Sequence, residues 1–276
     1  MSVSKQHIVN AEIQYLLPSD EKPIYYASKG GKDAELSMAG NFEMHRVAVC
    51  NGRYRKDSEF TLDNEGFTLV LHVSAVKNFY DENEIKESYL TEAETLVAGV
   101  SGASEVVAFD HTLRADLAEV RESRQTREPS TVVHNDYTDR SGPQRVRDIL
   151  GEARAKPLLK KRFTIVNVWR SIRNPVLTTP LAVCDAQTVS PEDLIAVERH
   201  AKDRIGELLL ARYNPDHRWY YFDGMKSDEA LLIKTFDSKE DGRARSCIHT
   251  AFMVPDPPQD ASPRESIEVR TFAFFD

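Results

Sequence analysis

The amino-acid sequence predicts a mainly β protein with flanking helices and a jelly-roll core. Short runs rich in Val, Ile, Thr, Phe and Tyr recur along the chain, as is typical of strands. Few helical patterns lie between them, and most intervals are too short for repeated βαβ crossovers. The glycine-rich first turn of a doubly wound parallel sheet is also missing from the sequence. A largely antiparallel sandwich or jelly-roll barrel therefore fits best.

Eight of these runs predict strands. In chain order they are FTLVLHV from Phe67, VVAFDH from Val106, FTIVNVW from Phe163, PLAVCDA from Pro180, RWYYF from Arg218, ALLIKTF from Ala230, SCIHTAFMV from Ser246 and SIEVRTFAFF from Ser266. Their density predicts that strands, rather than helices, build the core.

Three segments predict helices that support the sheets. One begins with Ser190 as N-cap and Pro191 at the first helical position. Its buried face is predicted from apolar residues at steps of three or four: Leu194, Val197, Ala201, Ile205 and Leu208. The others are expected over about 85–100 and about 143–155.

Length and composition predict one folded domain. The 276 residues are 41% hydrophobic and 29% charged, which is near the average for globular proteins. No composition shift or linker divides the chain, so we expect a single domain over residues 1–276. In this domain, residues of about 1–125 add outer strands and a buttressing helix to a jelly-roll core of about 126–276.

Charge and cysteine content narrow the class of partner. The formal net charge of −8 argues against nucleic acid, whose phosphates are bound mainly by clustered Lys and Arg. No apolar run is long enough for a membrane helix, and the N-terminus lacks the apolar core of a signal peptide. Three cysteines, Cys50, Cys184 and Cys247, form no CxxC pair. We expect a cytoplasmic protein with small-molecule partners, whose oligomeric state the sequence leaves open.

The segment STVVHNDYTDR carries the clearest chemical signal. In an extended chain His134 and Asp136 project from the same face, which is suitable for binding one metal ion. A distant histidine would complete the set of two histidines and one carboxylate that holds non-haem Fe(II). The alternative is structural: Asp136 caps a turn and His134 bonds to backbone.

Two downstream segments favour the functional interpretation. His249 lies within a predicted strand, where a buried imidazole must be hydrogen-bonded, paired or bound to metal. Further on, polar residues alternate in a strand that should be interior: Arg264, Ser266, Glu268 and Arg270. An arginine followed two residues later by serine is suitable for a ligand carboxylate, because the guanidinium can contact both of its oxygens.

The order HxD, then H, then RxS resembles Fe(II)/2-oxoglutarate-dependent oxygenases, whose core is a double-stranded β-helix of the jelly-roll type. FTIVNVWRSIRNPVLTTPLAVCDAQTV, DEALLIKTFDS and RARSCIHTAF, followed by PRESIEVR, resemble a narrower family of secondary metabolism. It comprises AsaB-type and gibberellin desaturase-like hydroxylase/desaturases and CmcJ. EFTLDNEGFTLV, NFYDENEIKESYL and VVAFDHTLR extend the resemblance over most of the chain.

The resemblance implies a set of site residues. It implies iron at His134, Asp136 and His249. It implies that Arg264 and Ser266 receive the distal carboxylate of 2-oxoglutarate, with Arg270 as the alternative arginine. In the NVWR strand, Asn167 is expected to hydrogen-bond a ligand oxygen, and Trp169 either forms a wall of the pocket or is core.

The implied activity is that of a dioxygenase using Fe(II), 2-oxoglutarate and dioxygen. An Fe(IV)-oxo species would abstract hydrogen from a small secondary metabolite, which is then hydroxylated or desaturated. Two alternatives stay open at this point. One is a non-catalytic jelly-roll protein that binds a small molecule, and the other is a cupin-type metal oxygenase that does not use 2-oxoglutarate.

Overall fold

Two β-sheets form the framework of the molecule. The computed structural model describes residues 7–19, 23–28, 30–31, 37–55, 59–173, 175–201 and 204–276. In chain order its strands are β1 (Ile8–Leu16), β2 (Ile24–Tyr26), β3 (Ser37–Ala39), β4 (Phe42–Asn51), β5 (Phe67–Leu71), β6 (Glu105–Ala115), β7 (His134–Asn135), β8 (Phe163–Ser171), β9 (Leu181–Cys184), β10 (Leu194–Ala201), β11 (Arg204–Ala211), β12 (Trp219–Tyr221), β13 (Glu229–Asp237), β14 (His249–Ala251) and β15 (Glu265–Phe274). All eight predicted strands are confirmed, and the mainly β class with them.

The larger sheet has the order β1-β4-β12-β9-β14-β7-β11-β10-β2-β3, and the smaller has the order β5-β13-β8-β15-β6. The smaller sheet is antiparallel throughout. In the larger sheet, β2 with β10 and β4 with β12 are parallel pairs. Strands from both halves of the chain therefore share each sheet. The division of a single domain at about residue 125 stays a prediction.

Helices flank the smaller sheet. They are α1 (Glu82–Glu84), a π-helical turn (Ile85–Tyr89), α2 (Leu90–Ser101), α3 (Ala118–Arg124), α4 (Ser141–Leu150) and α5 (Glu152–Leu158). Helix α2 covers the outer face of the smaller sheet, whereas α4 and α5 pack against Phe163 and Ile165 on the opposite face of β8. The helices predicted over about 85–100 and 143–155 are confirmed, the second as two short helices. No helix in the described part of the chain is long and apolar enough to cross a membrane. Residues 1–6, at the start of the N-terminal segment considered for a signal peptide, lie outside the described residues.

The smaller sheet is buried on both faces, which places polar side chains inside the molecule. Every residue of β8 is buried. Val166 and Val168 face outward and pack with Ala93 and Val97 of the helical layer. Because successive side chains alternate, Asn167 faces inward, toward the larger sheet. The inner face of β8 is thus available for a polar site.

The helix predicted from Ser190 is wrong. Its start signals form only a 3₁₀ turn, Pro191–Asp193, and the rest of the segment is the hairpin of β10 and β11. Of the positions chosen for a helical face, Val197 and Leu208 are buried cross-strand partners, whereas Ile205 is 64% exposed on the other face of the hairpin. Pairing of β11 with β7 and of β10 with β2 outweighs the local helical pattern.

Candidate metal centre

Three side chains with metal-binding atoms meet between the two sheets. His134 of β7 and His249 of β14 are direct cross-strand partners, and their ring centroids are 4.5 Å apart. Asp136 follows β7 by one residue and lies on the same side as His134. One ligand atom from each of the three residues lies within 4.8 Å of the others. The predicted set of two histidines and one carboxylate is thus brought together in space.

The backbone orients both imidazole rings. Nδ1 of His134 is 2.8 Å from the carbonyl oxygen of Val132, and Nδ1 of His249 is 3.0 Å from that of Cys247. A carbonyl oxygen can only accept, so each Nδ1 carries a proton and donates it. Each Nε2 therefore keeps a free lone pair. This tautomer is the one that allows a histidine to bind a metal through Nε2.

The carboxylate of Asp136 is held by the smaller sheet. Asn167 Nδ2 donates to Asp136 Oδ2 at 2.7 Å, and Arg270 Nε donates to the same oxygen at 3.2 Å. The other oxygen, Oδ1, lies 4.0 Å from His134 Nε2. Burial opposes ionisation, but the charge of Arg270, the two histidines and the bond from Asn167 outweigh it. They hold the pKa of Asp136 well below its usual range.

His134 is suited to bind as a neutral ligand. Burial, reinforced by the neighbouring His249, lowers the pKa of His134 to about 3. At neutral pH the site therefore offers imidazole nitrogen and ionised carboxylate oxygen. Such a donor set fits a divalent transition metal, and with two histidines and one carboxylate it is typical of non-haem Fe(II) with open coordination positions.

Arg270 is fully engaged by neighbouring groups. Besides Asp136, its guanidinium pairs with Glu268 at 2.5 Å (Nη2 to Oε1) and with Asp110 at 3.5 Å (Nη1 to Oδ2). It also donates to Thr112 Oγ1 at 3.2 Å. These contacts with three carboxylates make Arg270 a support for Asp136.

Arg264 has the opposite environment. It is 3% exposed, and within the described residues its guanidinium has no carboxylate partner at ion-pair distance. Nε donates to Ser266 Oγ and Nη1 to the carbonyl of Thr179, each at 3.0 Å. The guanidinium carbon lies 5.1 Å from the ring centre of Trp169. Burial lowers the pKa of Arg264 to about 10, because the desolvation of its charge outweighs the attraction of Asp116 and Glu268.

Trp169 also has an unused polar atom. Its indole Nε1 is buried and has no hydrogen-bond partner within the described residues. A buried donor of this kind is costly unless a ligand or water binds to it. Trp169 is core, packed in a cluster with Leu181 and Val183, and its Nε1 edge is still available to a ligand. Asn167 donates to Asp136, and its bond to a ligand oxygen stays a prediction.

Two further arginines near the site were missed by the sequence interpretation. Arg145 of α4 and Arg199 of β10 line a cavity of about 50 Å³ that is also bounded by Asp136. Arg199 was hidden by the wrong helix prediction. In a strand, its spacing of two from the buried Val197 would have indicated an inward-facing side chain. No sequence pattern singles out Arg145.

A facing pair of β-sheets with two histidines and a carboxylate between them is typical of a non-haem metal oxygenase. Comparisons with known proteins agree with this class. The family model described as "Oxidoreductase/YMDC permease-like domain" matches residues 13–274. The chain belongs to this family.

Named relatives define the class further. The chain is 35% identical to "Hydroxylase/desaturase efuI" of Hormonema carpetanum, over 83% of this chain and 83% of that relative. It is 33% identical to "Fe(II)/2-oxoglutarate-dependent dioxygenase nvfI" of Aspergillus novofumigatus, over 88% of each. The solved structure of "iron and alpha-ketoglutarate-dependent endoperoxidase NvfI" superposes with a TM-score of 0.85 at 30% identity, over 98% of both chains.

These findings confirm the enzyme class expected from the sequence. The chain is a non-haem Fe(II)/2-oxoglutarate-dependent oxygenase of the hydroxylase/desaturase type found in secondary metabolism, with a jelly-roll core. Iron and 2-oxoglutarate are its cofactor and cosubstrate, and a small molecule and dioxygen are its reactants. The comparisons give no support to the non-catalytic binding protein or to the cupin-type oxygenase.

Proposed function

We propose that His134, Asp136 and His249 bind Fe(II), and that the enzyme hydroxylates or desaturates a small secondary metabolite. The observation that carries the assignment is the meeting of three ligand atoms within 4.8 Å, with both histidines anchored through Nδ1. The facing Nε2 atoms and the ionised Asp136 match the donor preferences of Fe(II).

Arg264 and Ser266 are the binding site for the distal carboxylate of 2-oxoglutarate. Among the described residues no carboxylate lies at ion-pair distance from the buried guanidinium of Arg264, and such a group is stabilised strongly by an entering carboxylate. Its bond to Ser266 Oγ places the hydroxyl beside the guanidinium, where the same carboxylate can accept from both. Arg270 is the weaker candidate, because three protein carboxylates already neutralise it.

Trp169 supports Arg264, and Asn167 supports Asp136. Trp169 packs against Arg264 and limits its movement, and its unpartnered Nε1–H can donate to a ligand oxygen. Asn167 orients Asp136 through the bond to Oδ2, which leaves Oδ1 for the metal. Support of a ligating carboxylate in this way is a general feature of metal sites.

When bound, Fe(II) and 2-oxoglutarate supply the activation of dioxygen and the removal of hydrogen from a C–H bond. The protein contributes three fixed ligands, which leave the remaining coordination positions to cosubstrate and oxygen. Arg264 and Ser266 fix the far end of 2-oxoglutarate. The buried surroundings of His134 and His249, 7% and 2% exposed, exclude bulk water from the reacting centre.

Anaerobic titration of the protein with Fe(II) and 2-oxoglutarate tests this proposal. We expect a weak visible charge-transfer band from a bidentate keto acid on ferrous iron, and we expect its loss in His134→Ala and Asp136→Ala. His200→Gln is the matched control, since His200 is a partly exposed histidine that pairs with Glu198 away from the site. A full band in Asp136→Ala would refute the ligand assignment.

We also propose that the enzyme works in the cytoplasm. The support is the cysteine content: Cys50, Cys184 and Cys247 are all free. Burial raises the pKa of Cys184 to about 12 and that of Cys247 well above its usual value, so these thiols are unreactive. A chain without disulfides suits a reducing compartment.

A further inference from the structure

A small cavity beside the proposed iron site has an unusual concentration of arginine. The cavity, of about 50 Å³, is bounded by Asp136. Four of its lining residues are arginines: Arg145, Arg199, Arg204 and Arg270. They come from separate elements, α4, the β10–β11 hairpin and β15, so only the folded chain brings them together.

Two of these arginines already have counterions. Arg270 pairs with Asp136, Asp110 and Glu268, as described above. Arg204 lies 3.5 Å from a carboxylate oxygen of Asp148 (Nη1 to Oδ2).

The other two have none. Among the residues that the structure describes, neither Arg145 nor Arg199 forms an ion pair. Arg145 lies with its guanidinium carbon 5.5 Å from the ring centre of Phe109, and Arg199 lies 5.8 Å from that of Tyr25. Nε of Arg145 is buried without a hydrogen-bond partner. Each of these side chains therefore has donors available to a ligand.

The acidic residues of the cavity do not neutralise this pair. Asp110 forms an ion pair with Arg270. Glu207 forms another with Arg140 at 2.9 Å and accepts a hydrogen bond from a threonine hydroxyl. Repulsion among the cations is evident at Arg199, whose pKa is lowered first by burial and then by Arg270. An anion placed between Arg145 and Arg199 would relieve that repulsion.

We propose that Arg145 and Arg199 bind a carboxylate group of the substrate, so that the substrate class is a small carboxylic acid. This inference rests on the proposed function, because it takes the cavity to adjoin the iron. The cosubstrate is not the occupant, since neither Arg264 nor Ser266 lines the cavity. A carboxylate fits the planar guanidinium forks, whereas the nearby Asp110 and Glu207 would repel a more highly charged phosphate.

The test uses matched acid and amide probes on the loaded enzyme. Cyclohexanecarboxylate and cyclohexanecarboxamide are titrated calorimetrically into anaerobic protein that is saturated with Fe(II) and 2-oxoglutarate. Variants are Arg199→Gln, Arg145→Gln and the charge-conserving Arg199→Lys. Arg147→Gln is the control: it removes the same charge from α4, but at a residue that pairs with Glu152 outside the cavity.

We expect the acid to bind about tenfold more tightly than the amide to wild type and to the control, as one charge-assisted contact predicts. Arg199→Gln and Arg145→Gln should each abolish that preference, and Arg199→Lys should restore part of it. The charge-transfer band with 2-oxoglutarate should be normal in every variant. A normal band without acid preference thus refutes this inference alone, whereas a missing band in wild type refutes the proposed function.

Several other outcomes would overturn the proposal. Equal binding of acid and amide, or no binding of either at millimolar concentration, would show that the cavity does not select a carboxylate. Competition between the acid and 2-oxoglutarate would place the acid in the cosubstrate site. Tighter binding of cyclohexyl phosphate than of the carboxylate would assign the cavity to a phosphate.

Discussion

Replacing Arg264 by glutamine should have opposite effects on the free protein and on its complex. In the protein without 2-oxoglutarate, Arg264 is a desolvated cation with no carboxylate at ion-pair distance in the described part of the chain, which costs free energy. Glutamine removes the charge and retains a donor for Ser266. We therefore expect Arg264→Gln to leave the free energy of unfolding unchanged or to increase it.

The complex should lose most of its affinity. Removing one partner of a buried, hydrogen-bonded charge pair costs about 2–5 kcal/mol in binding. A value of about 3 kcal/mol corresponds to roughly a hundredfold increase in the dissociation constant of 2-oxoglutarate.

Thermal or chemical unfolding with and without 2-oxoglutarate measures both effects, in protein loaded anaerobically with Fe(II). At a concentration one hundred times the wild-type dissociation constant, 2-oxoglutarate stabilises wild type by about 2.7 kcal/mol. The same concentration should stabilise Arg264→Gln by only about 0.4 kcal/mol, since it then equals the dissociation constant. Arg147→Gln serves again as the control and should behave like wild type.

Two results would refute the reasoning. In the first, 2-oxoglutarate stabilises Arg264→Gln as much as wild type but does not stabilise Arg270→Gln, although Arg270→Gln still binds iron. That result would assign the carboxylate site to Arg270. The other is a loss of several kcal/mol in the stability of Arg264→Gln without ligand. That loss would mean that the buried charge is compensated in the free protein.

Three further predictions concern the support of the site and of the core. Asn167→Ala should lower Fe(II) affinity about tenfold, since Asp136 loses the shorter of its two orienting hydrogen bonds and keeps the one from Arg270; a competitive chelator titration measures this, and unchanged affinity would contradict it. Lys234→Met should lower the free energy of unfolding, measured in urea, by about 1–3 kcal/mol, because the buried Asp237 loses a cation 2.9 Å away but keeps its pair with Arg162. The pKa of His217 is lowered by burial, so in acid the unfolded chain binds its proton first; stability should fall as pH drops below about 6.5, and His217→Gln should flatten that decline.

The sequence was most informative where local pattern and burial coincide. The run FTIVNVW predicts a strand because β8 is buried on both faces, so nearly every position favours an apolar or β-branched residue. The proposed ligands His134 and Asp136 were predictable because alternation along an extended chain is enough to put them on one face. His249 followed from its unexpected place in an apolar run.

Interactions between distant segments account for what the sequence did not predict. The hairpin of β10 and β11 was mistaken for a helix because its structure depends on strands elsewhere in the chain. The choice between Arg264 and Arg270 depends on which of them neighbouring acids neutralise, and Asp110 and Asp136 are far from both in sequence. Strand β1 was not predicted, although the sequence carries its pattern. Its buried residues alternate along the strand: Val9, Ala11, Ile13 and Tyr15.

The pairing of His134 with His249 has a mechanical consequence for the larger sheet. Strands β7 and β14 join its two halves, and this histidine pair is their single point of register. An ion bound by both imidazoles would cross-link β7 and β14, which are remote from each other along the chain. Backbone amides on either side should then exchange with deuterium more slowly when iron is bound than after chelation. Metal loading would thereby protect the enzyme from local opening and from proteases, in addition to enabling its chemistry.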